Sequence, residues 1–314
     1  MVSPVEKALE PIQKLLDNQK FIELVCNAAG ELWAETRTGK WEHFSVPELT
    51  EDYWNNLARG LAVLTGQRFS ERKPIMRGTL PGGHRLFLMT GTDVLDRITG
   101  GPGICAAIRL KRKFAADIES FGVDMNGEKI LRDGVRAKRN ILVAGGMGSG
   151  KTTLTKILCS WIEDHRPVSI EDSAELELEQ PVATQFLISA IESDTEVTNR
   201  DVVSNIQRSR GDRFILGEIT MENAFILMRL LNLGSPGTIG TIHCDFATDA
   251  IESVAELMVL SGYAKDYDAT IRYLTRKIDL VAFVERAGPA RVISEIFAPD
   301  DKSVTGGDWV WRRG

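Results

Sequence analysis

Cysteine is scarce in this 314-residue chain, and the spacing of the few cysteines excludes two kinds of site. The four residues, Cys26, Cys105, Cys159 and Cys244, are widely separated in the sequence. No two of them have the C-x-x-C spacing that is typical of a zinc site or of a thiol redox centre. The pattern fits a reducing cytosol, in which most of these thiols act as small buried apolar groups.

Long apolar runs and an excess of positive charge are also lacking. No run approaches the roughly 18 residues that a membrane-spanning helix needs. The N-terminal MVSPVEKALEP has no basic region followed by an apolar core, so we expect a cytoplasmic protein whose attachment to a membrane is at most peripheral. The 38 Lys+Arg against 44 Asp+Glu give a net charge of -6, which disfavours direct binding to nucleic acid.

Length and composition fit a soluble globular protein with two domains. The chain has 43% hydrophobic and 26% charged residues, and 314 residues are enough for two cores. The pattern over 1–112 favours a smaller α+β domain with a largely antiparallel sheet. A linker is predicted at 113–135, followed at 136–314 by alternating strands and helices, which are typical of a parallel-dominated sheet covered on both faces.

The individual elements follow from apolar periodicity and from turn and capping residues. In the first domain we predict an amphipathic helix over 3–17, a helix from Thr50 to Gly66, and strands at 21–27, 31–36, 41–46, 75–80, 84–90 and 104–110. In the second domain we predict strands at 140–144, 167–171, 184–189, 213–217, 237–242, 278–285 and 290–297, with helices at 151–163, 199–209, 222–233, 247–260 and 266–277. The sequence contains no internal repeat and no low-complexity segment.

The strongest signal is the stretch NILVAGGMGSGKTTLTKILCSWI, in which a buried-type strand, a glycine-rich loop and a helix follow one another. It contains G-x-x-x-x-G-K-[ST], with Lys151 and Thr152 as the last two residues. The glycines allow backbone N–H groups to approach phosphate oxygens, and the helix N-terminus adds positive potential. We therefore predict that Lys151 reaches the β/γ-phosphates of a nucleotide and that Thr152 binds Mg²⁺. The remaining candidate cofactor-binding residues of this loop are Gly146, Gly148, Ser149, Gly150 and Thr153.

Two carboxylates follow predicted strands of the same domain. Nucleotide hydrolysis needs a carboxylate near the γ-phosphate. Glu171 ends one strand, and Glu218 follows Phe214-Ile215-Leu216-Gly217. Because Gly217 takes the place of the aspartate that usually binds Mg²⁺ there, the metal would be held by Thr152, phosphate oxygens and water, helped by Glu171. Each carboxylate alone could simply cap a turn, but two at strand ends of such a fold favour a ligand site.

The sequence leaves more than one role open for the histidine and arginine side chains near these strands. His243 ends another predicted strand, and either a purely structural role or contact with a γ-phosphate or water fits that position. Arg208, Arg210 and Arg213 cluster before the Glu218 strand, where they are either solvated or reach a nucleotide across a subunit boundary. The basic run at 109–113 is either a solvated face, a group that meets phosphates, or a patch for nucleic acid or acidic lipid.

Several motifs together resemble a known family. GGMGSGKTTL, SIEDSAEL, RSRGDRFILGEI and GSPGTIGTIH, in this order, resemble the Walker A, acidic, Walker B and histidine boxes of the secretion ATPase superfamily. The N-terminal segments FIELVCNAAGELWAETRTGKW, KPIMRGTLPGGHRLFL and ICAAIRLKRKF resemble the hexameric traffic ATPases of bacterial type IV secretion. The resemblance covers nearly the whole chain.

The resemblance implies an assembly and an activity. The expected protein is a homohexamer in which a ring of N-terminal domains is stacked on a ring of RecA-like P-loop domains. ATP would bind with Mg²⁺ between the two domains of each subunit, and its hydrolysis would drive substrate translocation or pilus assembly. The expected partners are other components of an inner-membrane secretion complex, and the expected location is the cytoplasmic face of that membrane.

The resemblance also implies roles for single residues of the second domain. Lys151 and Thr152 would hold the phosphates and Mg²⁺, and Glu218 would be the catalytic glutamate. Glu171 would support the metal or the attacking water, and His243 would sense the γ-phosphate.

Three arginines complete the set that the resemblance implies. Arg85 and Arg109 of the first domain would close on the nucleotide phosphates, and Arg210 would belong to an arginine motif near the subunit contact. Contacts of this kind make a domain angle depend on whether the γ-phosphate is present, and hydrolysis is thereby converted into motion.

The chain departs from the family pattern at three positions. Met147 stands where the family usually has threonine, Thr220 where it has arginine after the Walker B glutamate, and Gly234-Ser235 where it has Gly-His. The last two replacements suggest low intrinsic turnover that depends on partners.

Alternative functions remain open from the sequence. They are a pilus-retraction or type II secretion ATPase, a weakly hydrolysing ATP-gated scaffold, and a helicase on the same core. The lack of a tetracysteine zinc segment disfavours a typical type II motor, and the net charge of -6 disfavours the helicase.

Overall fold

The computed structural model describes residues 3–96, 98–112, 117–163, 165–172, 174–188, 199–232, 234, 236–288, 290–299 and 307–313. The chain divides into two compact units. The described residues up to 112 belong to the first unit, and those from 117 onward belong to the second.

An antiparallel sheet forms the first unit. Its strands are β1 (Phe21–Ala28), β2 (Glu31–Thr36), β3 (Trp41–Ser45), β4 (Ile75–Thr79), β5 (Arg85–Leu95) and β6 (Pro102–Arg109). They form a six-stranded sheet in the order β3-β2-β1-β6-β5-β4, with every pairing antiparallel. Buried and partly exposed residues alternate along β2, where Leu32 and Ala34 face the core. The predicted antiparallel α+β architecture is confirmed.

Helices cover one face of this sheet. They are α1 (Pro4–Ala8), α2 (Gln13–Asp17) and α3 (Glu51–Thr65). The sequence predicts one helix over 3–17, but a 3-10 turn at Glu10–Ile12 separates α1 from α2, because Pro11 cannot continue an α-helix. Thr50 caps α3 by accepting a hydrogen bond from the Tyr53 N–H at 3.1 Å, and Gly66 ends the helix with a φ of 68°.

A larger mixed sheet forms the second unit. Its strands are β7 (Ile141–Ala144), β8 (Pro167–Glu171), β9 (Thr184–Leu187), β10 (Arg213–Leu216), β11 (Ile239–Ile242), β12 (Leu280–Ala287), β13 (Ala290–Pro299) and β14 (Gly307–Arg312). The eight-stranded sheet has the order β14-β13-β12-β7-β11-β10-β8-β9. The strands from β12 to β9 are parallel, and β13 and β14 extend the edge in antiparallel fashion. The predicted parallel-dominated sheet is confirmed, and β14 is an addition to it.

Helices pack on both faces of the second sheet. They are α4 (Met125–Arg136), α5 (Lys151–Ser160), α6 (Asn199–Ile206), α7 (Ala224–Leu231), α8 (Ala250–Leu260) and α9 (Tyr267–Lys277). Ile141 and Val143 of β7 join one core with Leu154 of α5, whereas Leu142 joins the opposite core with Leu227 of α7. Burial on both faces explains why β7 is a continuous apolar run.

Residues 125–135 lie in the segment predicted as a linker, and residue 136 begins the predicted second domain. They form α4, which Asp124 caps by accepting a hydrogen bond from the Gly127 N–H at 2.8 Å. Leu131 and Val135 are buried in the core of the second unit. In the part of the chain that the structure describes, no helix is both long and apolar enough to cross a bilayer.

Candidate nucleotide-binding site

The glycine-rich loop connects the end of β7 to the start of α5. Gly148 has a φ of 66° and Gly150 a φ of 102°, a region of backbone space that favours glycine. A Cβ atom on Gly145 would lie 2.0 Å from the Val284 carbonyl oxygen of neighbouring β12, so only glycine fits there. The loop therefore needs its glycines both for its turns and for its close approach to the sheet.

Lys151, the first residue of α5, is folded back across this loop. Its side chain is buried, and Nζ donates to the carbonyl oxygens of Gly145 and Gly146 at 2.8 Å each. Nζ also lies 3.1 Å from Nδ1 of His243. The ammonium group is thus held at the centre of the loop, within reach of any anion that the loop binds.

His243 links this lysine to Glu218. Its Nε2 lies 2.8 Å from Oε1 of Glu218, and both side chains are about half exposed, at 46% and 45%. Because an ammonium group can only donate, Nδ1 accepts from Lys151, and the ring proton on Nε2 is donated to the carboxylate. The structure therefore brings together three predicted site residues, Lys151, His243 and Glu218, from the adjacent parallel strand ends of β7, β11 and β10.

The loop after β10 is held by a polar residue that the sequence analysis did not single out. Asn223 donates from Nδ2 to the Glu218 carbonyl oxygen at 2.8 Å and accepts from the Thr220 N–H at 2.8 Å. The Thr241 hydroxyl donates to the Gly217 carbonyl oxygen at 2.6 Å. These bonds fix the backbone that carries Glu218. Asn223 immediately precedes α7, and that position before a helix is the one sequence signal that it carries.

Glu171 is placed differently from Glu218. Its carboxylate is buried, and Oε1 accepts from the Ser169 hydroxyl at 2.6 Å and from Gln185 Nε2 at 3.0 Å. Oε2 accepts from the Glu175 and Leu176 N–H groups at 2.8 Å each. A carboxylate has about four acceptor positions, and here protein donors occupy that number. Direct binding of a metal by Glu171 stays a prediction, and it would require one of these bonds to break.

The same carboxylate explains the glycine at 217. Gly217 lies beside Glu171 on the neighbouring strand, and its N–H donates to the Ile170 carbonyl oxygen at 2.9 Å. A Cβ atom on Gly217 would lie 2.9 Å from Glu171 Cγ. The Glu171 side chain therefore fills the space that an aspartate at 217 would need.

The three arginines before β10 have different environments. Arg208 and Arg210 are exposed, and Arg210 has a φ of 54°. Arg213 is 1% exposed and donates to the carbonyl oxygens of Gly237 and Val135 at 2.9 Å each. Burial lowers the pKa of its guanidinium. Arg213 therefore holds the backbone together inside the second unit, and neither role considered from the sequence, solvation or contact across a subunit boundary, applies to it.

In the first unit, Arg85 and Arg109 are direct cross-strand partners on β5 and β6. Glu23 is the partner of Arg109 on β1. Burial raises the pKa of the Glu23 carboxyl, and the charge of Arg109 opposes that rise. The two arginines thus occupy paired positions on neighbouring strands, and their contact with phosphates stays a prediction.

A cavity of about 410 Å³ adjoins the glycine-rich loop. It is lined by Gly146, Met147, His243, Cys244, Asp245, Asp249 and Ser253. Burial and the nearby Asp249 carboxylate raise the pKa of the Cys244 thiol to about 12. Met147 is 88% exposed, so the departure at this position removes no packing contact.

The donor set of the loop fits a nucleotide polyphosphate with a bound Mg²⁺. Among the described residues, Ser149 Oγ is buried without a hydrogen-bond partner, and a hydroxyl in that position can serve an incoming oxygen. The Thr152 hydroxyl lies on the first turn of α5, next to Lys151. No group of three or more His, Cys, Asp or Glu side chains in the described ranges could hold a metal by itself. A cation here would rely on hydroxyl, phosphate and water oxygens.

A further contact with the loop involves Arg291 on β13, which the sequence analysis missed. Its Nε donates to the Gly148 carbonyl oxygen at 2.7 Å. The two residues are 143 positions apart, and no motif connects them.

Comparison with known proteins agrees with this geometry. A family model described as type II/IV secretion system protein matches residues 5–282. The type IV secretion system protein VirB11 of Bartonella quintana is 27% identical to this chain, over 94% of the chain and 93% of the relative. The conjugal transfer protein TrbB of Rhizobium radiobacter is 28% identical, over 90% of this chain and 84% of the relative.

Solved structures share the fold. The Legionella pneumophila ATPase DotB has a TM-score of 0.63 and 13% identity, with 94% of this chain and 82% of that chain covered. The pilus retraction motor PilT with bound ADP has a TM-score of 0.62 and 18% identity, with 96% and 84% covered. The resemblance to secretion ATPases inferred from the motifs is confirmed.

Proposed function

Because this chain belongs to the type II/IV secretion system protein family, we propose that it is the ATP-hydrolysing motor of a type IV secretion or conjugation system. The observation that carries the proposal is the convergence of Lys151, His243 and Glu218 at the glycine-rich loop. A cation, an imidazole and a carboxylate at adjacent strand ends are the groups that phosphate hydrolysis needs. The names of the curated relatives favour type IV secretion and conjugation over pilus retraction.

The loop residues bind the nucleotide in this proposal. Backbone N–H groups of Gly146, Gly148 and Gly150 face the phosphates, together with those of Ser149 and Thr153. Lys151 exchanges its two carbonyl partners for the β/γ-phosphate oxygens, and the Thr152 hydroxyl is the protein ligand for Mg²⁺. A Mg²⁺ ion held there would neutralise part of the charge of the phosphates.

Glu218 is the catalytic carboxylate of the proposal. Its side chain is half exposed at the strand edge, so a water molecule can reach it and donate a proton to it. His243 holds one carboxylate oxygen and lies next to Lys151, which places it to respond to the γ-phosphate. Glu171 supports the reaction by holding the backbone at 175 and 176 with Oε2.

Residues of the first unit and the assembly complete the proposal. Arg85 and Arg109 contact the phosphates, and Arg210 acts near the contact between subunits of a homohexamer. The boundaries proposed for the two domains are 1–112 and 136–314. The ring works with other components of a secretion complex at the cytoplasmic face of the inner membrane, and the transported substrate is a protein or DNA.

Steady-state phosphate release with Mg-ATP tests the proposal. We expect Glu218→Gln to lower turnover by about 10²-fold or more while ATP still binds, and Lys151→Ala to lose binding. Glu222→Gln is a matched control, since Glu222 is an exposed acid on the same loop. Particle mass, recorded with and without ATP, should correspond to six subunits. If rings form and ATP binds but the unsubstituted chain releases no more phosphate than Glu218→Gln, the protein is an ATP-gated scaffold instead.

A further inference from the structure

Arg291 contacts the glycine-rich loop from outside the motif. Its side chain extends from β13, and Nε donates to the Gly148 carbonyl oxygen at 2.7 Å. A Cβ atom on Gly150 would lie 3.4 Å from Cβ and from Cγ of Arg291 and 3.2 Å from the Phe121 ring. The stem of the arginine therefore runs along the loop before its donor reaches the carbonyl group.

This bond determines the direction of one peptide group. The Gly148 carbonyl and the Ser149 N–H belong to the same planar trans peptide, in which they point in opposite directions. The Ser149 N–H points across the loop toward the Gly146 carbonyl oxygen, at 3.4 Å. With the carbonyl held outward by Arg291, the N–H is directed into the loop, where a phosphate would lie.

Without such a restraint the peptide could turn. Gly148 has a φ of 66° and no Cβ, so rotation about its ψ meets little steric resistance. Reversal would point the carbonyl oxygen at the bound anion and would remove one donor from the site. A charge-assisted hydrogen bond is stronger than a neutral one, so a guanidinium is a suitable group to hold this peptide.

We propose that Arg291 is a positioning residue for nucleotide binding, which orients the 148–149 peptide so that its N–H faces the phosphates. The inference rests on the proposed function, since it assumes that the loop binds a nucleotide. Arg286, the cross-strand partner of Arg291, is an arginine of the same hairpin that contacts the hairpin's own turn, and it therefore offers a matched control position. The Arg286 Nε donates to the Gly288 carbonyl oxygen in the hairpin's own turn, at 3.2 Å.

Three substitutions at position 291 separate positioning from a direct charge contact. The bond is made by Nε, and Gln carries its amide nitrogen at the same place along the side chain, so Arg291→Gln keeps the donor and removes the charge. Arg291→Lys keeps the charge but places its donor one atom further out. Arg291→Ala removes both, and Arg286→Ala is the control.

The measurement is the Kd for ADP of the full chain by titration calorimetry, with thermal unfolding of each variant recorded beside it. Arg291→Ala should weaken ADP binding about tenfold, in line with the loss of one charge-assisted bond. Arg291→Gln should restore most of the affinity, and Arg286→Ala should leave it unchanged. If Arg291→Ala does not fold, the ADP affinities of Arg291→Gln and Arg291→Lys are compared with each other instead, and tighter binding by the Gln variant supports positioning.

Two results would overturn this inference and leave the proposed function unaffected. One is unchanged ADP affinity in folded Arg291→Ala, and the other is rescue by Lys but not by Gln, which would assign a direct charge contact. Failure of the unsubstituted chain to bind ADP is distinct from both, because it removes the proposed function and this inference with it.

Discussion

Substitution of Gly217 tests the crowding between β8 and β10. An added Cβ atom would lie 2.9 Å from Glu171 Cγ and 3.4 Å from Glu171 Cβ. Neither neighbour can move easily, because the Gly217 N–H is bonded to the Ile170 carbonyl oxygen and the Glu171 carboxylate accepts four hydrogen bonds. Overpacking of a core costs about 1–3 kcal/mol. We expect Gly217→Ala to lower the free energy of unfolding of the second unit by about 2 kcal/mol.

Gly217→Asp should cost more than Gly217→Ala. The aspartate adds the same Cβ atom and places a second carboxylate beside that of Glu171, so that like charges repel at short range. Restoring the residue that is usual at this position should therefore impair the protein unless position 171 is changed as well.

The assay is urea unfolding of the full chain, followed by far-UV circular dichroism and tryptophan fluorescence and fitted with one transition for each unit. Gly146→Ala is the control for stability, since a Cβ atom there meets nothing within 4 Å. It should change the free energy of unfolding by no more than about 0.5 kcal/mol.

A double-mutant cycle with Glu171→Ala isolates the contact. Glu171→Ala alone destabilises the second unit, because buried donors such as the Leu176 N–H lose their acceptor. In that background Gly217→Ala should cost at least about 1 kcal/mol less than in the unsubstituted chain. An equal cost in both backgrounds, or no cost in either, would refute the explanation of Gly217 by crowding.

Two further predictions concern other parts of the second unit. Gly237→Ala should lower the free energy of unfolding by about 2 kcal/mol or more in urea unfolding, because φ is 92° and the new Cβ would lie 2.2 Å from Arg213 Nε; unchanged stability would contradict this. Cys244 should react slowly with iodoacetamide at pH 8, because a pKa of about 12 leaves little thiolate, and its rate should still rise about tenfold per pH unit up to pH 10. Peptide mass spectrometry measures this rate, and a rate that levels off between about pH 9 and 10 would show that the thiol has an ordinary pKa.

Local sequence signals were sufficient for most strands, but not for α4. The β7 strand and the loop after it carry both an apolar run and a glycine motif, so their prediction needed no tertiary information. In α4, Gly127 and Gly134 lower the helix propensity and interrupt the periodic spacing of apolar residues by which a helix is recognised. Packing requires both glycines, since a Cβ atom on Gly127 would lie 2.4 Å from Val123 Cγ2 and one on Gly134 would lie 2.9 Å from Leu280 Cδ1. Tertiary contacts thus override the local preference there.

In the candidate site, too, some residues could be predicted from local sequence signals and others could not. Lys151, Glu218 and His243 each follow a predicted strand, and the parallel order of those strands is enough to bring them to one edge. Arg291 and Gln185 lie outside the recognised motifs, and their contacts depend on side-chain directions and on pairings between distant strands. Sequence patterns do not specify those directions, and only the folded structure reveals that Glu171 is surrounded by donors.

The order of contacts across the site connects ligand binding to chemistry in the proposed mechanism. The His243 imidazole touches the Lys151 ammonium with Nδ1 and the Glu218 carboxylate with Nε2, at 3.1 and 2.8 Å. A phosphate that draws Lys151 away removes the hydrogen bond that Nδ1 accepts. The imidazole is then no longer held on that side, and a turn of the ring would break its bond to Glu218. In the proposed mechanism this one ring therefore makes the Glu218 carboxylate sensitive to the occupancy of the phosphate loop, and the strands that carry the three side chains need not move.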